Sequence, residues 1–134
     1  MKIMLLIHRQ EEALELRAEL NKLDVKVVEW ATQGIGWISA WQKAAPDWTW
    51  MDMQLPERDG LHCLKQVRSL VQDHPVAFSH DYQGNLANDT ELKALALGAT
   101  VVVPKSFVQK RLPVVVAMMR EAVFRRSRTL RANI

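Results

Sequence analysis

The chain has 134 residues, 49% of them apolar, and a formal charge of +3. That length holds one domain, that apolar fraction excludes a disordered chain, and so mild a charge does not by itself require nucleic acid or an anionic membrane as partner. The single cysteine, Cys63, excludes an internal disulfide and fits a cytoplasmic protein, and no apolar run approaches the roughly 20 residues of a membrane helix.

In chain order, residues 3–7 form a continuous apolar run, the mark of a central parallel strand covered on both faces. Ala13, Leu16, Leu20 and Leu23 then recur at helical spacing, predicting a helix over 11–23. Residues 25–30 are rich in β-branched side chains and read as a second strand. Gly34 and Gly36 break the chain before a helix over 37–45, and 48–52 is a third strand. A helix over 61–71 follows, then a strand over 75–79, a polar loop over 80–87, and a helix over 88–97 stopped by Gly98. A fifth strand spans 100–103 and a last helix spans 112–125, with Leu112, Val115, Val116, Met119, Ala122 and Val123 facing inward. Pro113 suits only a first helical turn, which sets that start. Strands alternating with helices five times mean βαβ units and a parallel sheet sandwiched between helices. Residues 1–125 make the domain, and 126–134 a basic tail or the start of a linker.

The chemistry concentrates in residues 46–60. Trp48 to Met51 is an apolar, aromatic run bounded by Pro46 and Pro56, and Asp52 stands where the strand ends. In an α/β sheet the carboxyl ends of the strands face the ligand crevice. Asp59-Gly60 can turn the chain and cap the next helix. The spacing Pro46-Asp47, Asp52, Pro56, Asp59-Gly60 resembles the phospho-acceptor segment of response-regulator receiver domains. The resemblance extends to Ser79 after the fourth strand, to Gly98-Ala99 before the fifth, and to Lys105 after it. It implies a flavodoxin-like (βα)5 fold, a doubly wound five-stranded sheet in the order 2-1-3-4-5. Asp52 becomes the candidate phospho-acceptor, with Ser79 and Lys105 binding the phosphoryl oxygens. A histidine kinase, phosphotransfer protein or another signalling protein is the implied partner, and a homodimer is allowed; neither membrane nor nucleic acid is expected.

The same resemblance exposes departures. The family places two acids after strand 1, where they bind Mg2+ with the acceptor; here those positions read His8-Arg9. Mg2+ takes oxygen ligands in octahedral geometry, and a unit charge pair about 4 Å apart is worth on the order of 4 kcal/mol at an effective dielectric near 20. Reversing the charge predicts a pocket that binds Mg2+ poorly or not at all, so no cofactor is assigned. Arg9 is expected to pair with Asp52 and hold its carboxylate, the alternative being that it stands in for the metal as a fixed cation; a shifted alignment would move the acid pair to Glu11 and Glu12, but as first-turn residues these are expected to serve the helix dipole. Ser106 follows Lys105 where the family has proline, so the Lys105–Ser106 bond is expected trans. Val102 takes the place of the family's switch aromatic, and Phe107 lies beyond the strand.

Trp30, Trp37, Trp41, Trp48 and Trp50 read as core aromatics, with a partner or dimer surface around the second helix as the sharper reading. Arg120, Arg125, Arg126, Arg128 and Arg131 form a solvated basic helix end. Cys63 is a small buried apolar residue, and His62, His74 and His80 lack metal-ligand spacing. The leading function is a divergent receiver, a signalling module without turnover chemistry. A small flavodoxin-like nucleotide or flavin binder would require a phosphate-cradling loop after strand 1, which His8-Arg9-Gln10-Glu11-Glu12 does not supply. A hydrolase with Asp52 as nucleophile ranks last.

Overall fold

The computed structural model describes residues 1–132, with side chains described through residue 129. The elements run β1 (Lys2–Leu6), α1 (Gln10–Lys22), β2 (Lys26–Ala31), α2 (Trp37–Ala44), β3 (Trp48–Asp52), α3 (Gly60–Leu70), β4 (Val76–His80), α4 (Gly84–Ala96), β5 (Val101–Pro104), a single helical turn Lys105–Phe107, and α5 (Val108–Ala132). The strands form one parallel sheet in the order β2-β1-β3-β4-β5. β3 and β4 are buried at every position, as central strands covered on both faces must be.

Alternation along the strands divides the core in two. Ile3, Leu5, Trp48 and Trp50 face α1 and α5, meeting Leu16, Leu20, Val115 and Met119. Met4, Leu6, Met51 and Phe78 form the other face with Trp37, Trp41, Leu64 and Val67 from α2 and α3. The sheet therefore separates tryptophans that crowd together in sequence: Trp37 and Trp41 pack 6.1 Å apart on one side, Trp48 and Trp50 6.4 Å apart on the other. All four are buried, so the aromatic surface around α2 is not formed and the core reading holds. Trp30 is partly buried and donates its indole N–H to the Ile7 carbonyl at 2.8 Å. Cys63 is fully buried, and burial pushes its thiol up to about 11.

Two helices start earlier than their sequence signals. α4 begins at Gly84, inside the expected loop, where φ +62 suits glycine. Its buried positions are only Thr90 and Ala94, too few to mark a start by periodicity. α5 begins at Val108 and encloses Pro113, whose missing N–H and ring clash cost about 3 kcal/mol in a helix interior. Leu112, Val115, Val116 and Met119 are all buried on the same helix, and that packing outweighs the local penalty. α5 continues helical through residues 126–132, the start of the basic segment; residues 133 and 134 and the Arg131 side chain lie outside what is described.

Candidate functional site

Register sets the site. Asp52 pairs with Ser79 across β3 and β4, and His80 with Pro104 across β4 and β5, so the ends of three strands meet at one edge. The loop after Asp52 is held by bonds from its own backbone amides. Gln54 donates its backbone N–H to Asp52 Oδ1 at 3.2 Å, Met53 N–H donates to the Ser79 carbonyl at 2.8 Å, and Gly60 N–H to the Met53 carbonyl at 2.9 Å. Asp59 caps α3, its Oδ1 accepting the His62 N–H at 2.9 Å. Gly60 packs directly on the acceptor strand: a Cβ there would sit 2.4 Å from the Asp52 carbonyl oxygen.

Asp52, Ser79 and Lys105 come together. Lys105 Nζ lies 2.7 Å from Asp52 Oδ2. Ser79 is buried beside them, its Oγ accepting the Trp50 indole N–H at 3.2 Å. Burial raises the Asp52 carboxyl above its usual range, against the opposing pull of the Lys105 hydrogen bond and charge. Burial would lower Lys105, but its hydrogen bonds and charge contacts with Asp52 and Glu12 prevail and raise it.

The basic residues after β1 do not enter this contact. His8 Nδ1 lies 3.2 Å from the Thr32 carbonyl, away from the acceptor. Arg9, the residue preceding α1, leaves 73% of its side chain exposed, and among the described residues its ion-pair partner is Glu12 at 3.9 Å. The expected Arg9–Asp52 pair is therefore not formed; Lys105 holds the acid instead. Glu12, expected to serve the helix dipole, instead accepts from Lys105 Nζ through its Oε2 at 2.9 Å. The signal for this was its i, i+4 relation to the buried Leu16, which turns position 12 toward the sheet.

Among the described residues there is no cis peptide bond, so Lys105–Ser106 is trans. Val102 is half-buried against the α2–α3 side of the core. Phe107 lies outside, its ring 4.7 Å from the Arg111 guanidinium carbon. His80 is buried; Tyr82 N–H donates to its Nδ1 at 3.0 Å, which leaves Nε2–H to donate to Glu91 at 2.8 Å. His74 is buried with Nε2 2.8 Å from Thr49 Oγ1, and burial lowers it to about 4. Among the described residues no three His, Cys, Asp or Glu side chains are grouped to hold a metal ion.

A five-stranded parallel sheet in this order, with an acid, a hydroxyl and a lysine at the ends of β3, β4 and β5, defines a receiver-type α/β domain. The response regulator receiver domain model matches residues 8–117. The chain thus belongs to the response-regulator receiver family, the signalling modules of two-component systems.

Solved structures agree on the fold. The chain is similar to the response regulator domain of Thermotoga maritima CheB, at 20% identity and TM-score 0.78, over 92% of this chain and 96% of that one. It is also similar to a response regulator receiver domain protein from Clostridium thermocellum, at 16% identity and TM-score 0.80, over 94% and 96% of the two chains. The signal receiver domain of a signal transduction histidine kinase from Syntrophus aciditrophicus matches at 18% identity and TM-score 0.76, over 90% of each chain. No curated protein matches. No described helix is long and apolar enough to cross a membrane.

Proposed function

We propose that this receiver works as a phosphorylation-independent interaction module in a cytoplasmic two-component pathway, with Asp52 retained as a constitutively paired carboxylate. One observation carries the reading: Lys105 Nζ sits between Asp52 Oδ2 and Glu12 Oε2, at 2.7 and 2.9 Å. An ammonium at that point supplies the positive charge beside the acceptor. The donor set does not suit Mg2+, which wants several free oxygens in octahedral array. One Asp52 oxygen and one Glu12 oxygen are taken by Lys105, and His8 and Arg9 turn elsewhere.

A carboxylate pinned by an ammonium is a poor nucleophile toward a phosphodonor, because attack must first break a charge-assisted hydrogen bond in a buried site. The module then presents one stable surface to a histidine kinase, a phosphotransfer protein or another signalling protein. Residues 126–134 would lead from it as a basic linker. The test is intact mass after incubation with acetyl phosphate, with and without Mg2+. The mass is expected to stay at that of the unmodified chain in both. Efficient addition of one phosphoryl group, stimulated by Mg2+ and abolished by Asp52→Asn, would contradict the proposal.

A further inference from the structure

α4 is attached to the domain differently from the helices beside it. α1 buries Ala13, Leu16 and Leu20, and α3 buries Cys63, Leu64 and Val67. α4 buries only Thr90 and Ala94, so no side chain larger than threonine anchors it, while Leu86, Leu92 and Leu95 are exposed. Its N-terminus has no side-chain cap, and glycines with positive φ stand at both ends, Gly84 at +62 and Gly98 at +86. Few buried apolar contacts mark the segments of a fold that open before the rest, and glycine adopts such angles without steric cost.

Polar contacts hold the helix where apolar ones are scarce. At mid-helix, Glu91 Oε1 accepts from His80 Nε2 at 2.8 Å. The His80 side chain is 1% exposed and that of Glu91 34%, so the bond joins a buried group on the sheet to the rim of the helix. The imidazole is fixed from its other side: Tyr82 donates its backbone N–H to Nδ1 at 3.0 Å, and its ring stacks on the imidazole at 6.0 Å. At the C-terminal end, Arg68 of α3 donates Nε to the Leu97 carbonyl at 2.9 Å and Nη2 to the Gly98 carbonyl at 2.6 Å. Both carbonyls belong to the turn after α4, so opening of the helix need not break them.

We propose that α4 is a strap that opens as a unit from the sheet, tethered at its C-terminal end by Arg68 and latched at its middle by the His80–Glu91 bond. Opening lets water reach both partners of the latch, so neither is left buried and unsatisfied. It also uncovers Phe78 and Val102, which share a core cluster with Ala94. The closed form predominates, and the open form gives the interaction module a second surface, reached without any chemistry at Asp52.

Native-state thiol labelling of the full chain tests the latch. Thr90→Cys puts a thiol of nearly threonine's size beneath α4, and Cys63, fully buried on α3, is the internal reference for opening of the rest of the domain. Each thiol is followed by peptide mass after exposure to excess iodoacetamide. The introduced thiol is expected to react at least about tenfold faster than Cys63. Adding Glu91→Ala removes the latch while favouring the helix, and should speed the introduced thiol about tenfold further with Cys63 unchanged. Lys93→Ala breaks only the exposed Asp89–Lys93 pair, and should leave both rates within about twofold. Equal reaction of the two thiols, acceleration of both by Glu91→Ala, acceleration of neither, or an equal effect of Lys93→Ala would overturn the proposal. None of these outcomes bears on whether acetyl phosphate modifies Asp52, so the two ideas fail separately.

Discussion

Glu12 and Lys105 stand 93 positions apart in the chain, yet Glu12 Oε2 lies 2.9 Å from Lys105 Nζ, on the same ammonium that holds Asp52. α1 contributes Glu12 from its first turn, and the turn after β5 contributes Lys105. Their contact ties the two sides of the acceptor edge together. A third of the Glu12 side chain is exposed and Lys105 is mostly shielded, so the pair is neither a surface ornament nor fully dry.

Glu12→Gln should therefore loosen Lys105 without breaking the fold. Charge-assisted hydrogen bonds are worth about 1.5–3 kcal/mol when well shielded and less when solvated. A loss of roughly 1 kcal/mol in denaturant stability is expected. Lys105→Met should cost more, because it leaves Asp52 buried without its cation. Urea unfolding of both variants checks the order.

Asp52→Asn should stabilise the protein. Burial raises the folded-state pKa of Asp52 above its ordinary value of 3.8. The folded state thus binds a proton more readily than the unfolded one. The contribution of this group is full below about 3.8 and is lost as pH rises through the folded pKa. Asparagine carries no charge at any pH. The variant's Tm should exceed the parent's by a few degrees near neutrality, and the gap should shrink as pH approaches 4. A thermal melt series at several pH values reads it.

His74 gives the opposite slope. Burial, with Arg126 and Arg68 nearby, lowers its pKa from 6.5 to about 4. Between those values the unfolded state takes up a proton that the folded state refuses, so stability falls as pH drops. The loss across the window is roughly 3 kcal/mol at most. His74→Gln should flatten this acid limb in pH-dependent unfolding while keeping a partner for Thr49.

Gly60→Ala tests the loop that aims Asp52. The new methyl would meet the Asp52 carbonyl oxygen at 2.4 Å and Met53 Cα at 2.9 Å, both backbone atoms that cannot swing aside. A loss of about 1–3 kcal/mol is expected, with chemical-shift changes spreading from Asp52 to Lys105. Gly36→Ala meets nothing within 4 Å and should show only the smaller cost of its φ of +74.

Much of this architecture is legible in the sequence, for identifiable reasons. The strands announce themselves because β1, β3 and β4 are buried on both faces and read as short runs dominated by apolar residues. Asp52, Ser79 and Lys105 are visible through the resemblance to receiver domains, and strand ends that share one edge of a parallel sheet bring them together. The starts of α4 and α5 are not visible. In one a glycine looks like a loop, and in the other a proline looks like a first turn, while tertiary packing decides otherwise. The Arg9 expectation failed on direction: a residue next to the site in sequence points to solvent, because its backbone is extended just before α1 turns. The contact of Glu12 with Lys105 is hard to read from sequence because a first-turn acid always has a simpler local explanation. Which of two carboxylate roles it plays depends on a lysine 93 residues away.

The most direct measurement is a Mg2+ titration of the unmodified chain, followed through the backbone N–H resonances of Asp52, Met53 and Lys105. With Lys105 seated between Asp52 and Glu12, no saturable shift is predicted through the millimolar range. Saturable binding centred on Asp52 at submillimolar Mg2+, with release of Lys105, would contradict the central claim that an ammonium takes the place of the divalent ion.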